Sequence, residues 1–169
     1  MRHIIYVSGG QRSGKSGFAQ RLVEGMSDRP HYLATAHCWD DEFRKRIERH
    51  QAERGEQWVN IEEEIEISKH HLEGEVVMMD CVTLWITNIF TANDFNAERS
   101  LEQAKAEWSR FVNQDFTLVV ISNEIGNGVI PFEKSTRAFV DLQGWINQYI
   151  ASMADEAYTL ISGIPLKIK

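Results

Sequence analysis

Three groups of residues in this 169-residue chain have the types and spacing to handle phosphate. The run Gly9-Gly10-Gln11-Arg12-Ser13-Gly14-Lys15-Ser16 fits G-x-x-x-x-G-K-[ST] without deviation. Its glycines let the backbone curl until several N–H groups converge, an anion nest at a helix N-terminus. Lys15 would reach the β- and γ-phosphates of a nucleotide, and the Ser16 hydroxyl would ligate Mg²⁺. Asp80 closes the apolar run VVMMD. An acid at the tip of a buried strand is costly without a partner such as Mg²⁺; the competing reading is a cap for the following TLWITNIF. His50 lies three residues after Ile47 and seven after Phe43, on the same helical face, among Arg44, Arg46, Arg49 and Arg54. Like charges favour the neutral imidazole, the form that attacks phosphorus. A packed core histidine is the alternative.

The elements that must position these residues are legible as runs. Strands are expected at 3–8, 31–36, 75–82, 117–124 and 157–162, with a short tail strand in LKIK. Most are unbroken apolar stretches, as in a sheet covered on both faces. Helices are expected at 14–26, 40–54, 96–114 and 133–154, where apolar residues recur at helical spacing. Alternating strands and helices imply one α/β domain over 1–169 with a largely parallel sheet. Ligands of such sheets sit beyond the C-terminal ends of the strands, where the phosphate loop and Asp80 fall. Trp85, Trp108 and Trp145 are expected in the core rather than at an interface.

Composition narrows the classes. Hydrophobic residues make up 43% and charged ones 25%, ordinary for a globular domain. The net charge of −7 argues against a nucleic-acid footprint, which needs clustered Lys and Arg. No apolar run approaches the roughly 18 residues of a membrane span. MRHIIYVSGG has no secretory h-region, and Cys38 and Cys81 form no CxxC pair, so a cytoplasmic protein is expected.

GGQRSGKS, YLATA with DDEFRKRIERHQ, MDCVTLWITN, SNEIGNGVIP and ISGIPLKIK occur in this order from the first strand to the last residues. Together they resemble the bifunctional adenosylcobinamide kinase/adenosylcobinamide-phosphate guanylyltransferase family of cobalamin biosynthesis. The resemblance implies a P-loop NTPase-type (RecA-like) three-layer α/β domain. It also implies two reactions: ATP or GTP phosphorylates adenosylcobinamide, then GTP donates GMP to adenosylcobinamide phosphate and pyrophosphate leaves. The match of RIERH puts the guanylylated nucleophile at His50, with Lys15 as its catalytic partner in the loop. Nucleotide contacts are implied at Gly9, Gly10, Gln11, Arg12, Ser13, Gly14, Lys15 and Ser16. Further contacts are implied at Ala34, Thr35, Ala36, Gln51, Ala52, Glu53, Arg54, Glu62 and Asp80, with Mg²⁺ held by Ser16 and Asp80. Glu62 suits guanine, because a carboxylate accepts from both N1–H and the N2 amino group; Glu63 or Glu64 are its rivals. A homotrimer is implied as well. The chain departs from the common family pattern at Gly55, where proline is frequent, and at Asn60, where threonine is frequent. Arg49 precedes His50 where some relatives carry a second histidine. The rival reading is a P-loop NTPase switch, or a kinase without nucleotidyl transfer.

Overall fold

The computed structural model describes residues 1–37 and 54–169. In chain order these form β1 (His3–Gly9), α1 (Lys15–Glu24), β2 (His31–Ala34), β3 (Val59–Glu62), β4 (Val76–Asp80), α2 (Val82–Ala92), α3 (Ala97–Phe111), β5 (Thr117–Asn123), α4 (Lys134–Met153), β6 (Glu156–Ile161) and β7 (Ile164–Lys167). The strands make one sheet in the order β3-β2-β4-β5-β1-β6-β7. All neighbours run parallel except β7, which folds back antiparallel on β6.

Helices cover both faces, which explains why the central strands read as continuous apolar runs. Against one face α1 packs Ala19 and Val23 onto Ile5, Val7, Met78, Val119 and Ile121. Against the other, α2, α3 and α4 bury Trp85, Ile86, Trp108, Phe111, Leu142 and Ile146 over Ile4, Val77, Met79, Leu118 and Val120. Trp85 and Trp108 are fully buried with ring centroids 6.4 Å apart, whereas Trp145 is 44% exposed on the outer face of α4. This is the three-layer, RecA-like P-loop arrangement expected from the sequence. Its signature is β5, inserted between the strand that feeds the phosphate loop and the strand that ends in Asp80.

Several expectations are corrected: Trp145, expected in the core, is exposed, and β2 stops at Ala34, short of residue 36, because the Thr35 hydroxyl is bound to Cys81. Residues 81–82 leave the strand: β4 stops at Asp80, and VTLWITNIFTA forms the separate helix α2, buried along most of its length. β3 was not expected; only Val59 and Ile61 alternate with the exposed Asn60 and Glu62, too short a period to read. The tail strand begins two residues early, at Ile164, because the Ser162-Gly163 turn pairs it with β6. The helix expected at 40–54 falls outside the described residues except for Arg54.

Candidate active site

Because all strands but β7 are parallel, their C-terminal tips share one edge. Register lines up Glu62 of β3, Ala34 of β2, Asp80 of β4 and Ile121 of β5 in a single row. Register partners in parallel strands face the same side, so this row looks onto the α1 layer. There it walls a cavity of about 840 Å³ whose other side is Gln11 to Gly17. That volume lies within the range of small-molecule sites, about 300–1,000 Å³. Tyr32, Ala36, Arg54, Asn60, Asn123 and Glu124 complete the lining.

The loop between β1 and α1 has the stereochemistry the sequence demands. Gly14 takes φ +92° as the residue before α1, and a Cβ there would stand 3.2 Å from the Cα of Gly163. No side chain caps α1 and its first turn carries no acid. The helix therefore presents unsatisfied N–H groups and the positive end of its dipole to the cavity. The loop is held from two sides: Glu124 N–H donates to the Gly9 carbonyl at 3.0 Å, and Gly163 N–H to the Ser13 carbonyl at 2.8 Å.

Lys15 is 8% exposed and donates from Nζ to the Gly10 carbonyl at 2.8 Å. Burial lowers its ammonium below the ordinary value, opposed by Cys81 and Asp80 nearby. A phosphate beside it would restore the full preference for the charged form. Asp80 accepts from the Tyr32 hydroxyl at 2.9 Å. Burial first, then the Asp80 charge, push the Tyr32 phenol well above its usual value, so it remains a donor. The Arg54 guanidinium lies 3.4 Å from the Tyr32 ring centroid and donates to Asn60 Oδ1 at 3.3 Å. Asn60 thus serves as the acceptor that fixes this arginine. Cys81, behind Asp80, is pushed up to about 12 by burial and the Asp80 charge, so it stays a thiol.

Gln11 to Ser16, Ala34, Ala36, Arg54, Glu62 and Asp80 are brought together on one cavity. Gly9 and Gly10 supply the turn behind it. Thr35 is not part of the lining. It is fully buried, and its Oγ1 accepts from Cys81 N–H at 2.9 Å and donates to the Cys81 carbonyl at 2.8 Å. Its own N–H and C=O are taken by Asp80 and Asn88. Thr35 therefore holds the tip of β4 rather than a ligand. Glu63 turns away from the cavity: it is buried and bound by Lys69 and the N–H groups of Ile65 and Glu66. Glu64 pairs with His37 at 2.7 Å. His50, Gln51, Ala52 and Glu53 lie outside the described residues. Tyr32 was not foreseen; its place between Arg54 and Asp80 depends on strand pairing that a single sequence does not display.

Ser16 and Asp80 offer a hydroxyl and a carboxylate to the same cavity. Such hard oxygen donors fit Mg²⁺, which takes one or two protein ligands and draws the rest from phosphates and water. No three His, Cys, Asp or Glu side chains among the described residues cluster to make an all-protein metal cage.

Fold and site define a P-loop nucleotide-binding protein. Residues 5–168 match the family model described as "CobU: Cobinamide kinase / cobinamide phosphate guanyltransferase", and the chain belongs to this family of transferases. It is 33% identical over 173 residues to the bifunctional adenosylcobalamin biosynthesis protein CobP of Pseudomonas aeruginosa, covering 100% of this chain and 98% of that protein. It is 34% identical over 183 residues to the protein of that description called CobU in Escherichia coli K12, covering 98% of this chain and 99% of that one. Among solved structures, an ATPase domain is similar at 13% identity and a TM-score of 0.46, over 94% of this chain and 69% of that one.

Proposed function

We propose that this protein phosphorylates the hydroxyl of adenosylcobinamide with ATP or GTP, then transfers GMP from GTP to the resulting phosphate through a guanylylated His50. The observation that carries the reading is the uncapped start of α1, with Lys15, facing the row that runs from Asp80 to Glu62. One end of this cavity suits a polyphosphate and the other a guanine edge.

In the first reaction the acceptor oxygen attacks the γ-phosphorus and the nucleoside diphosphate leaves, its charge met by Lys15 and the loop N–H groups. Ser16 and Asp80 would hold Mg²⁺, which when bound screens the phosphate charges. In the second reaction the His50 imidazole attacks the α-phosphorus of GTP, and pyrophosphate leaves into the same nest. The phosphoramidate then passes GMP to the cobinamide phosphate oxygen, so that one transfer becomes two easier ones. The role of His50 rests on the RIERH match. Glu62, exposed at the cavity, would accept two hydrogen bonds from guanine, with Arg54 and Asn60 beside it. A cytoplasmic homotrimer is part of this reading. Exposed apolar side chains at Val129, Ile130, Phe132, Ile164 and Leu166 offer places for contact between copies.

The test is covalent labelling. Protein, Mg²⁺ and GTP labelled at the α-phosphate are incubated and separated under denaturing conditions, beside a γ-labelled control and His50→Ala. Acid-labile, alkali-stable α-label that disappears in His50→Ala supports the reading. Tight GTP binding without retained α-label would leave a kinase alone or an NTPase switch.

A further inference from the structure

Phosphorylating an alcohol requires that a proton leave the attacking oxygen, whereas the later steps do not. The imidazole brings its own lone pair, and the phosphate acceptor is already an anion. A base is therefore needed for the kinase step only, and it must stand beside the γ-phosphate end of the loop. Three carboxylates line the cavity: Glu62, Asp80 and Glu124. Adjacent strands lie roughly 4.8 Å apart. Glu62 on β3 is four strands from β1, roughly 19 Å by that spacing. Asp80 on β4 is two strands away, and one of its oxygens accepts from Tyr32. Glu124 follows β5, the immediate neighbour of β1, and its own N–H is bonded to the first glycine of the loop.

Its setting is built. The core face of α4 carries two amides among aliphatic residues, Gln143 and Asn147, 1% and 6% exposed. Burying such groups is costly unless they are bonded. Asn147 Nδ2 donates to Glu124 Oε1 at 3.3 Å and to the Asn123 carbonyl at 3.1 Å. Asn147 Oδ1 accepts from Ser122 Oγ at 2.6 Å and from Gln143 Nε2 at 2.8 Å. The amide array thus holds one carboxylate oxygen from behind. Among the described residues, no side chain or N–H group donates to the other, Oε2.

Resting on the function proposed above, the geometry points to Glu124 as the general base of the phosphorylation step, placed by Asn147. The proton passes from the substrate hydroxyl to Glu124 as the new O–P bond forms. The bond between the γ-phosphorus and the β–γ bridging oxygen breaks, and the nucleoside diphosphate leaves with that electron pair.

The test compares wild type, Glu124→Gln and Glu124→Ala with adenosylcobinamide and γ-labelled GTP, and separately with α-labelled GTP. In Glu124→Gln the kinase kcat should fall about 10²- to 10⁴-fold, the usual contribution of a positioned base. KM should change little, and α-label should still accumulate on the protein. Formate should restore part of the kcat of Glu124→Ala, which a purely structural role would not permit. A kcat in Glu124→Gln close to wild type overturns the assignment, as does a loss that appears in KM or equally in α-labelling. If neither variant folds, Glu124 is a structural anchor and the assignment also falls. Failure of wild type itself to phosphorylate adenosylcobinamide would instead refute the function proposed above.

Discussion

Thr35→Val removes a hydroxyl while keeping the side chain's shape, at a position with no exposed surface. The Cys81 N–H then loses its acceptor, and the Cys81 carbonyl keeps only the Trp85 N–H at 3.1 Å. An orphaned buried donor costs about 1–3 kcal/mol and the second lost bond about 1, so the variant should be less stable by about 2–4 kcal/mol. For a domain of this size that corresponds to a Tm lower by about 5–15 °C. Thr35→Ser keeps the hydroxyl and should lose only the methyl, about 1 kcal/mol. Urea unfolding followed by tryptophan fluorescence, with far-UV circular dichroism as a second probe, measures both variants. If Thr35→Val stays within about 0.5 kcal/mol of wild type, the range of ordinary surface changes, the reasoning fails. It fails equally if serine is no better than valine.

At the loop, Gly14→Ala forces a side chain into φ +92° and against the Gly163 backbone. It should cost about 1–3 kcal/mol and weaken binding of a fluorescent GTP analogue, whereas Gly10→Ala, with open space around its Cβ, should leave the stability near that of wild type. Burial by itself would raise the Glu63 carboxyl, but Lys69 and the N–H groups of Ile65 and Glu66 outweigh it, so its pKa lies below the ordinary 4.5. The folded state thus gains stability above that value and loses it as pH falls through the lowered pKa. Chemical denaturation at a series of acidic pH values should show a shallower decline in Glu63→Gln than in wild type.

The strands that could be read were those whose surroundings left one solution. β1, β4 and β5 are apolar on both faces, a pattern that needs no knowledge of neighbours. α3 and α4 announced themselves by amphipathic spacing, and their ends fell within three residues of expectation. By contrast, the VTLWITNIFTA helix was read only as the alternative in which Asp80 caps it; it is rich in β-branched and aromatic residues and buried nearly all round, so it showed no polar helical face to read. The phosphate loop was legible because only glycine accepts the backbone at Gly14. Thr35 was misjudged because nothing local reveals that Cys81, 46 residues on, claims its hydroxyl. Glu124 carried no assignment for the same reason: the amides that hold it stand a full helix later, on α4.

The β6–β7 hairpin has a practical side. Its Ser162-Gly163 turn splints the phosphate loop through the bond to Ser13, while Met1 stands fully exposed before β1, at the end of that strand away from the loop. Because β7 folds back along β6, Lys169 ends beside Ala157, at the opposite end of the hairpin from that turn, so an affinity tag or fluorophore attached after it would sit clear of the loop. One attached ahead of Met1 would be carried at that same edge of the sheet. For measuring nucleotide affinity, a handle at either terminus is kept away from the phosphate loop.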